Sequence, residues 1–166
     1  MDIESFNIEK IAPICNITNE FQVLTIFECV LMYVEDKSQI TLFQKLRHYN
    51  FQSLSSLIFE PTNLGDKFGQ NMVRVIKENG FALKSEQKGS SMKSHLDFLS
   101  LKCNFPKSDI VYKDLWQIFN LLNDEMKEKF LSIELLDEVM LMESLFKHYC
   151  FLFIDLKIDI QQLLNN

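Results

Sequence analysis

Glycine and proline are scarce in this chain of 166 residues, which contains 4 Gly and 3 Pro. Because both residues interrupt regular structure, their scarcity favours long helices over a turn-rich β-sandwich. Cysteine is also uncommon, and the chain has no Cys-x-x-Cys pair. The four cysteines are scattered at Cys15, Cys29, Cys103 and Cys150. This spacing predicts buried free thiols rather than a disulfide framework.

Long uncharged apolar runs are absent as well. The early run from 21 to 34 contains Glu28, and the C-terminal apolar run is interrupted by Glu143, Lys147 and His148. A membrane span needs roughly 18 or more residues with few charges. The N-terminus lacks the basic start and apolar run of a signal peptide. We therefore expect a soluble cytoplasmic protein with no membrane partner.

Motifs that specify a reaction are missing. The chain has no Gly-Lys-Ser/Thr, Gly-x-Gly-x-x-Gly, Gly-x-Ser-x-Gly or Glu-x-x-His sequence, which excludes the commonest phosphate loops, hydrolase turns and helical metal sites. His148 and Cys150 would lie about 200° apart on a helix and could not share a metal there. These absences predict no cofactor, no metal and no catalytic residue, and therefore a protein that is not an enzyme.

The most strongly patterned stretch that is present runs from Ser132 to Ile154. Its apolar residues recur at steps of three and four, at Leu135, Val139, Met142, Phe146, Tyr149 and Phe153. That spacing places them on one face of an α-helix. The pattern predicts a buried central helix, with Trp116 and Phe119 packed near Phe146.

Further helices are expected along the rest of the chain. They are predicted at about 19–36, from Ser38 to about 51, at 53–59, at 66–79 with Gly80 just past the end, from Ser108 to about 122, and from 124 to about 131. The polar stretch 84–94 is predicted to be an exposed, mobile loop and the first site of proteolysis. Two segments remain ambiguous: 81–103 fits a helix or a small β-hairpin, and 154–160 fits a strand or a continued helix. The sequence predicts one mainly α domain over 1–166, a compact multi-helix bundle.

Acidic residues are concentrated in the last third of the chain. Residues 108–166 contain 11 Asp/Glu and 5 Lys/Arg, so the net charge of this segment equals that of the whole chain, −6. The candidate partner-binding residues are Glu134, Asp137 and Glu138 with Asp124, Glu125 and Glu128 upstream. Such a surface repels phosphate backbones and attracts basic proteins. We therefore expect a basic protein partner and no nucleic acid.

These expectations together favour a small acidic protein-binding module. The most specific hypothesis is an inhibitor or immunity-type protein that masks a basic partner such as a nuclease toxin. The alternative is a helical adaptor that binds a partner's amphipathic helix in an apolar groove. A third hypothesis, an enzyme whose site is not visible in the sequence, would require a pocket with perturbed titratable groups.

Overall fold

One mixed β-sheet organises the chain, which has an α/β fold in the computed structural model. The structure describes residues 5–85, 87–133 and 139–155. The strands are β1 (Gln22–Glu28), β2 (Ser53–Pro61), β3 (Ile110–Asp114) and β4 (Tyr149–Ile154). Their order in the sheet is β1-β2-β4-β3, with β1 parallel to β2 and β4 antiparallel to both β2 and β3. The prediction of a mainly α bundle is therefore wrong.

Seven α-helices are described around the sheet. They are α1 (Ile8–Ile14), α2 (Asp36–His48), α3 (Lys67–Glu78), α4 (Met92–Asp97), α5 (Leu115–Leu121), α6 (Asp124–Ile133) and α7 (Val139–Phe146). Short 3₁₀ turns lie at Leu31–Tyr33, Lys88–Ser90 and Lys107–Asp109, and α4 continues into a π turn at Phe98–Lys102. No helix among these residues is long and apolar enough to cross a membrane.

The helix predicted at 19–36 is instead strand β1 followed by the turn at Leu31–Tyr33. Val23, Phe27, Val30 and Val34 do recur at helical steps, but the segment Val23–Phe27 is apolar at nearly every position. Strands of a parallel pair often have continuous apolar sequences, because both faces of such a sheet are normally covered. Helical and strand periodicity cannot be distinguished in a short run of this kind.

The predicted central helix also divides into two elements. Helix α7 ends at Phe146, and β4 begins at Tyr149 with alternating burial of Cys150, Leu152 and Ile154. Of the segment 154–160, for which the sequence leaves a strand or a continued helix open, Ile154 ends β4 and residues 156–160 lie outside the described residues. The expected contact is present, since the rings of Phe119 and Phe146 lie 6.0 Å apart.

Two other predicted helices contain strands. The segment 53–59 belongs to β2, and Ile110–Asp114 forms β3 at the start of the helix predicted from Ser108. The helix that does form, α5, begins after Asp114. The carboxylate of Asp114 accepts the amide of Gln117 while the Gln117 side chain accepts the amide of Asp114, which is a capping box.

The polar stretch 84–94 is not exposed throughout, because Ser85, Lys88 and Gly89 are buried. No hairpin forms among the described residues of 81–103, which contain α4 and its π turn instead. The composition of a polar stretch predicts a loop, because it does not reveal whether the side chains find buried hydrogen-bond partners.

The helix predicted at 66–79 is confirmed as α3. The Asp66 carboxylate accepts the Gly69 amide at 2.8 Å, which caps the helix start. Gly80 has φ +85°, and the Phe81 amide donates to the Ile76 carbonyl at 3.2 Å. The capping residues alone indicate both ends of this helix in the sequence, because these hydrogen bonds are made within the segment itself.

The two faces of the sheet differ in how they are packed. One face is covered by α2 and α4, and its core includes Phe27, Phe43, Ile58 and Leu152. We call the opposite side the open face. It contains the apolar side chains of Leu24, Ile26, Leu57, Phe59, Phe151 and Phe153, all at least partly exposed.

Replacing Phe43 with Ala should destabilise the protein strongly. Phe43 is 1% exposed, and the centroid of its ring lies 5.6 Å from that of Phe27 and 5.5 Å from that of Phe105. Loss of a buried phenyl ring leaves a cavity and costs about 3–5 kcal/mol. Urea unfolding of Phe43→Ala measures this cost. Leu101→Ala, at a position that is 68% exposed, is the control and should change the free energy of unfolding by well under about 1 kcal/mol.

Candidate functional site

The carboxyl ends of the parallel strands β1 and β2 lie side by side. In open α/β sheets, ligands bind in the crevice outside the carboxyl ends of parallel strands. Glu28 ends β1, and Glu60 lies one residue before the end of β2. Cys29 follows β1 with a left-handed φ of +47°, and its amide donates to the Phe59 carbonyl at 2.8 Å. The chain therefore leaves β1 through a strained residue beside the next strand.

The two glutamates face opposite sides of the sheet. Both end an Ile-Phe-Glu triplet, but the register pairs Glu28 with Phe59 rather than with Glu60. Side chains alternate along a strand, so this shift of one residue sends Glu28 to the open face and Glu60 to the packed face. Glu28 is exposed, whereas Glu60 is fully buried.

Buried Glu60 holds the turn that follows β1. Its Oε1 accepts the Leu31 amide at 2.8 Å. Burial raises the pKa of Glu60, while the charge of Lys88 and the amides of Leu31, Met32 and Val30 oppose that rise. One oxygen of the Glu60 carboxylate is thus bound to the segment that continues from Glu28, whereas Oε2 has no hydrogen-bond partner among the described residues.

A second set of hydrogen bonds fixes the same turn from α2. Gln39, which is fully buried, donates from Nε2 to the carbonyl oxygens of Leu31 and Val34 at 2.7 and 2.8 Å. Its Oε1 accepts from Lys88 Nζ at 2.8 Å. Burial lowers the pKa of Lys88, and the charges of Glu60 and Asp36 oppose that change. The stretch predicted to be a mobile loop therefore supplies a lysine that completes a buried polar network.

His95 joins this region to the end of β2. Its Nε2 lies 3.0 Å from the Pro61 carbonyl oxygen, and the side chain is buried. Burial and the charge of Lys88 lower the pKa of His95 to about 4. Neutral His95 with the proton on Nε2 is the form that donates to this carbonyl.

The exposed part of the site combines an acid with aromatic rings. Glu28 is paired in register with Phe59, whose ring stacks on that of Tyr149 at 5.4 Å with an interplanar angle of 18°. Tyr149 is in turn paired with Pro61 at the end of β2. A carboxylate beside partly exposed rings can accept hydrogen bonds from ligand hydroxyls and favours cationic groups.

A hydrogen-bonded pair of Asp66 and His148 lies next to the end of β2. His148 is buried, with Nε2 2.9 Å from Asp66 Oδ1 and Nδ1 2.6 Å from the Ser144 carbonyl oxygen. Partial burial raises the pKa of Asp66, but the Gly69 amide and His148 lower it on balance. The pair ties the start of α3 to the turn before β4, and the Thr62 amide also donates to the His148 carbonyl at 2.9 Å.

The described cysteine thiols and metal-ligand residues do not favour nucleophilic or metal chemistry. Burial, with the charges of Glu60 and Glu28, raises the pKa of Cys29 to about 11. Burial likewise raises the pKa of Cys103 and Cys150 to about 12. These thiols stay protonated near neutral pH and are weak nucleophiles. In the described ranges, no three His, Cys, Asp or Glu side chains come together as a metal site.

The acidic residues singled out from the sequence take no part in this arrangement as far as they are described. Asp124, Glu125 and Glu128 are exposed on α6. Glu134, Asp137 and Glu138 lie outside the described residues. Whether this segment contacts a basic protein stays a prediction. Sequence reasoning missed Glu28 and Glu60, for which the repeated Ile-Phe-Glu triplet was the available signal.

Comparison with known proteins finds relatives that include several leucine carboxyl methyltransferases. No family model matches the chain. It is 27% identical over 136 residues to leucine carboxyl methyltransferase 1 of Bos taurus, covering 82% of this chain and 40% of the relative. The Debaryomyces hansenii protein of that name is 28% identical over 138 residues, covering 76% and 37%. The Caenorhabditis elegans protein is 26% identical over 143 residues, covering 86% and 41%.

These relatives overturn the function expected from composition. Their shared name indicates a methyltransferase, so the predictions of an inhibitor or immunity-type protein and of a protein that is not an enzyme are wrong. The helical adaptor presupposed a helical bundle, which the α/β fold excludes. The chain spans about two fifths of the length of the relatives it matches.

Stability should fall as the pH drops below about 6.5, in part through His95. Its pKa is about 4 in the folded state against an ordinary value of 6.5. The unfolded chain therefore binds the proton first, and a stabilisation of about 3 kcal/mol, present above pH 6.5, is lost as pH falls towards 4. His95→Gln keeps an N–H donor but cannot titrate, so its unfolding free energy should decline less between pH 7 and 4. Exposed His48 provides the control, His48→Gln, which should follow the parent in urea unfolding across the same pH range. Equal slopes for parent and His95→Gln would contradict the assignment.

Proposed function

We propose that this chain is part of an enzyme that transfers a methyl group to the carboxyl group of a leucine. The observation that carries the proposal is the match of 76–90% of the chain to mammalian, fungal and nematode proteins named leucine carboxyl methyltransferase 1. The geometry supports it, because an exposed acid and stacked aromatic rings lie at the ligand-binding end of a parallel strand pair.

The chemistry explains why no catalytic motif is needed in the chain. Leucine has a single carboxyl group, which is free only in the amino acid or at a peptide C-terminus. Its pKa is about 3.5, so it is ionised at neutral pH without a general base. The carboxylate oxygen forms the new O–CH₃ bond, and the bond from the methyl carbon to a sulfonium sulfur breaks with its electron pair retained by sulfur. An anion and a cation thus become a neutral ester and a neutral thioether.

Charge neutralisation of this kind makes positioning and exclusion of water the main tasks of the protein. Phe59 and Tyr149 provide apolar, polarisable rings beside the strand ends, which favour a sulfonium cation. Glu28 provides an acceptor for hydroxyl groups of the methyl donor, as acidic residues at strand ends do for ribose hydroxyls. Glu60, Gln39 and Lys88 hold the turn that continues from Glu28 and do not themselves contact a ligand from their buried positions.

Methyl transfer should be detectable when the chain is placed in the context of a whole relative. A chimera of the bovine enzyme, with its matched stretch replaced by the matched stretch of this chain, should form a base-labile methyl ester. The donor is radiolabelled S-adenosylmethionine, a sulfonium methyl donor, and the acceptor is a peptide ending in leucine. The same peptide with a C-terminal amide lacks the nucleophile and should remain unlabelled. A folded chimera that labels neither peptide would overturn the proposal.

Replacing Glu28 with Gln in that chimera should weaken donor binding more than turnover. A hydrogen bond from a hydroxyl to a carboxylate contributes about 1.5–3 kcal/mol, so the KM for S-adenosylmethionine should rise roughly tenfold or more. Glu20→Gln, at an exposed acid before the other end of β1, is the matched control and should keep the parental KM. Equal KM values for both variants would remove Glu28 from the donor site.

A further inference from the structure

The imidazole of His148 lies between two hydrogen-bond acceptors. Its Nδ1 is 2.6 Å from the carbonyl oxygen of Ser144, and its Nε2 is 2.9 Å from Oδ1 of Asp66. A carbonyl oxygen and an ionised carboxylate accept hydrogen bonds and cannot donate them. A neutral imidazole carries one N–H group, so it can satisfy only one of these two contacts. Both contacts are satisfied only when both ring nitrogens are protonated, which makes His148 an imidazolium cation.

Asp66 supplies the negative charge that this cation requires. Partial burial raises the pKa of Asp66, but the Gly69 amide and His148 outweigh that effect and lower it, so the carboxylate is ionised near neutral pH. A proton on Asp66 beside a neutral imidazole is therefore disfavoured. His95 shows the contrast, because its Nε2 faces the Pro61 carbonyl oxygen, a contact for which one N–H group is sufficient.

The ring of Phe68 provides a further stabilising contact for a charged imidazole. Its centroid lies 4.5 Å from that of the His148 ring, and aromatic rings attract cations within about 6 Å. The side chain of His148 is only 5% exposed. A buried charge is costly unless an opposite charge and hydrogen bonds compensate it. Here the carboxylate of Asp66, the carbonyl of Ser144 and the Phe68 ring provide that compensation.

The other charged side chains on the elements around His148 are compensated by an opposite charge or exposed to solvent. They are Glu143 with Lys147 at the end of α7, Glu60 with Lys88 beside the end of β2, and Lys67 at the start of α3. Thr62 and Asn63, which follow β2, are neutral. The hydrogen bond between His148 and Asp66 is thus the contact of this ring in which a charge on each side matters.

Two further hydrogen bonds tie the segment after β2 to the turn before β4. The Thr62 amide donates to the His148 carbonyl oxygen at 2.9 Å, and Nδ2 of Asn63 donates to the Lys147 carbonyl oxygen at 2.7 Å. Neither depends on the charge of the imidazole. The ring contact with Asp66 does depend on it, and Asp66 is also the N-cap of α3. The protonation of His148 therefore controls how firmly the start of α3 is held against this turn.

Tyr149 connects this contact to the candidate site. It follows His148 directly, begins β4 and pairs with Pro61 in register. Its ring stacks on that of Phe59, whose partner in β1 is Glu28. Movement of the turn before β4 would therefore be transmitted to an aromatic ring of the candidate site.

We propose that doubly protonated His148 is a positioning residue, which holds the start of α3 against the turn before β4 and keeps the Tyr149 ring stacked on Phe59. Its consequence for the methyl donor rests on the proposed function, whereas the protonated state of the ring does not. As the pH rises and His148 loses one proton, the contact with either Asp66 or Ser144 is lost. Donor binding at the strand ends should then weaken, while turnover of the bound donor changes little.

Nitrogen NMR of the full chain tests the protonated state without any turnover. The probe is the chain with 15N in its three histidines. At about pH 6, just below the ordinary pKa of histidine, both nitrogens of His148 should be protonated and both N–H protons should exchange slowly with water. Buried His95 should show one unprotonated nitrogen, and exposed His48 should exchange rapidly. His48→Gln and His95→Gln assign the spectrum, so no change at His148 is needed. An unprotonated nitrogen on His148 at this pH would overturn the proposal.

Asp66→Asn is the matched variant, because it removes the charge and keeps a side-chain oxygen that caps α3. As the pH is raised, one nitrogen of His148 should become unprotonated at a lower pH in this variant than in the parent. Asp124→Asn, at an exposed position on α6, should follow the parent. Cross-peaks between the ring protons of Tyr149 and Phe59 should lose intensity over the pH interval in which His148 deprotonates. Cross-peaks that stay constant over that interval would show that His148 does not position Tyr149.

The KM for S-adenosylmethionine separates an effect of protonation from a general loss of packing. In the chimera with the bovine enzyme, His148→Gln should raise this KM roughly fivefold at about pH 6, because a charge-assisted hydrogen bond is lost. The KM values of parent and variant should converge at about pH 8.5, where the neutral parental ring has lost the same contact. Asp66→Asn should converge in the same way, and His48→Gln should follow the parent. An increase by the same factor at every pH would indicate lost packing and contradict the proposal.

The two kinds of measurement distinguish this inference from the proposed function. The expected spectra together with a chimera that transfers no methyl group would uphold the positioning role of His148 in the fold, while the proposed function fails. An active chimera in which His148 is neutral at about pH 6, or in which its replacement leaves the KM unchanged, would overturn the inference and leave the proposed function standing.

Discussion

The buried carboxylate of Glu60 is the constraint on which the arrangement of the strand ends depends. It accepts the amide of Leu31, so the chain leaving β1 is bound to the end of β2. Gln39 binds the same turn from α2, and Lys88 binds Gln39 from a segment 49 residues further along the chain. A buried ionisable group is costly unless neighbouring charges and donors compensate it. Removing Gln39 would leave the Lys88 ammonium and the carbonyl groups of Leu31 and Val34 without the hydrogen bonds that Gln39 makes with them.

Glu28 and Glu60 differ in their environments, because only Glu60 belongs to this buried network. They end the same triplet, yet a register shift of one residue directs them to opposite faces of the sheet. Glu60 holds structure because it is buried among backbone donors. Glu28 is available to a ligand because the open face gives it solvent access. The same residue type at equivalent strand ends therefore holds a turn in one strand and faces solvent in the other.

An enzyme of the proposed kind does not need the residues by which enzymes are usually recognised. Its nucleophile belongs to the substrate and is already ionised, so neither a catalytic base nor an activated thiol has to be supplied. What such an enzyme contributes is a shaped crevice that positions the two substrates and excludes water.

The sequence by itself determined the features that depend on residues close together in the chain, such as helix ends. Asp66 and Gly80 mark both ends of α3, because helix caps follow from short-range chemistry. The spacing in β1 and β4 predicts helices, because short apolar runs fit both the helical and the strand period until a partner strand is known. Only the tertiary structure pairs β2 with β4, about 90 residues away in sequence. It alone decided that Lys88 is buried and that Glu28 is exposed, because burial and register are set by contacts between distant segments.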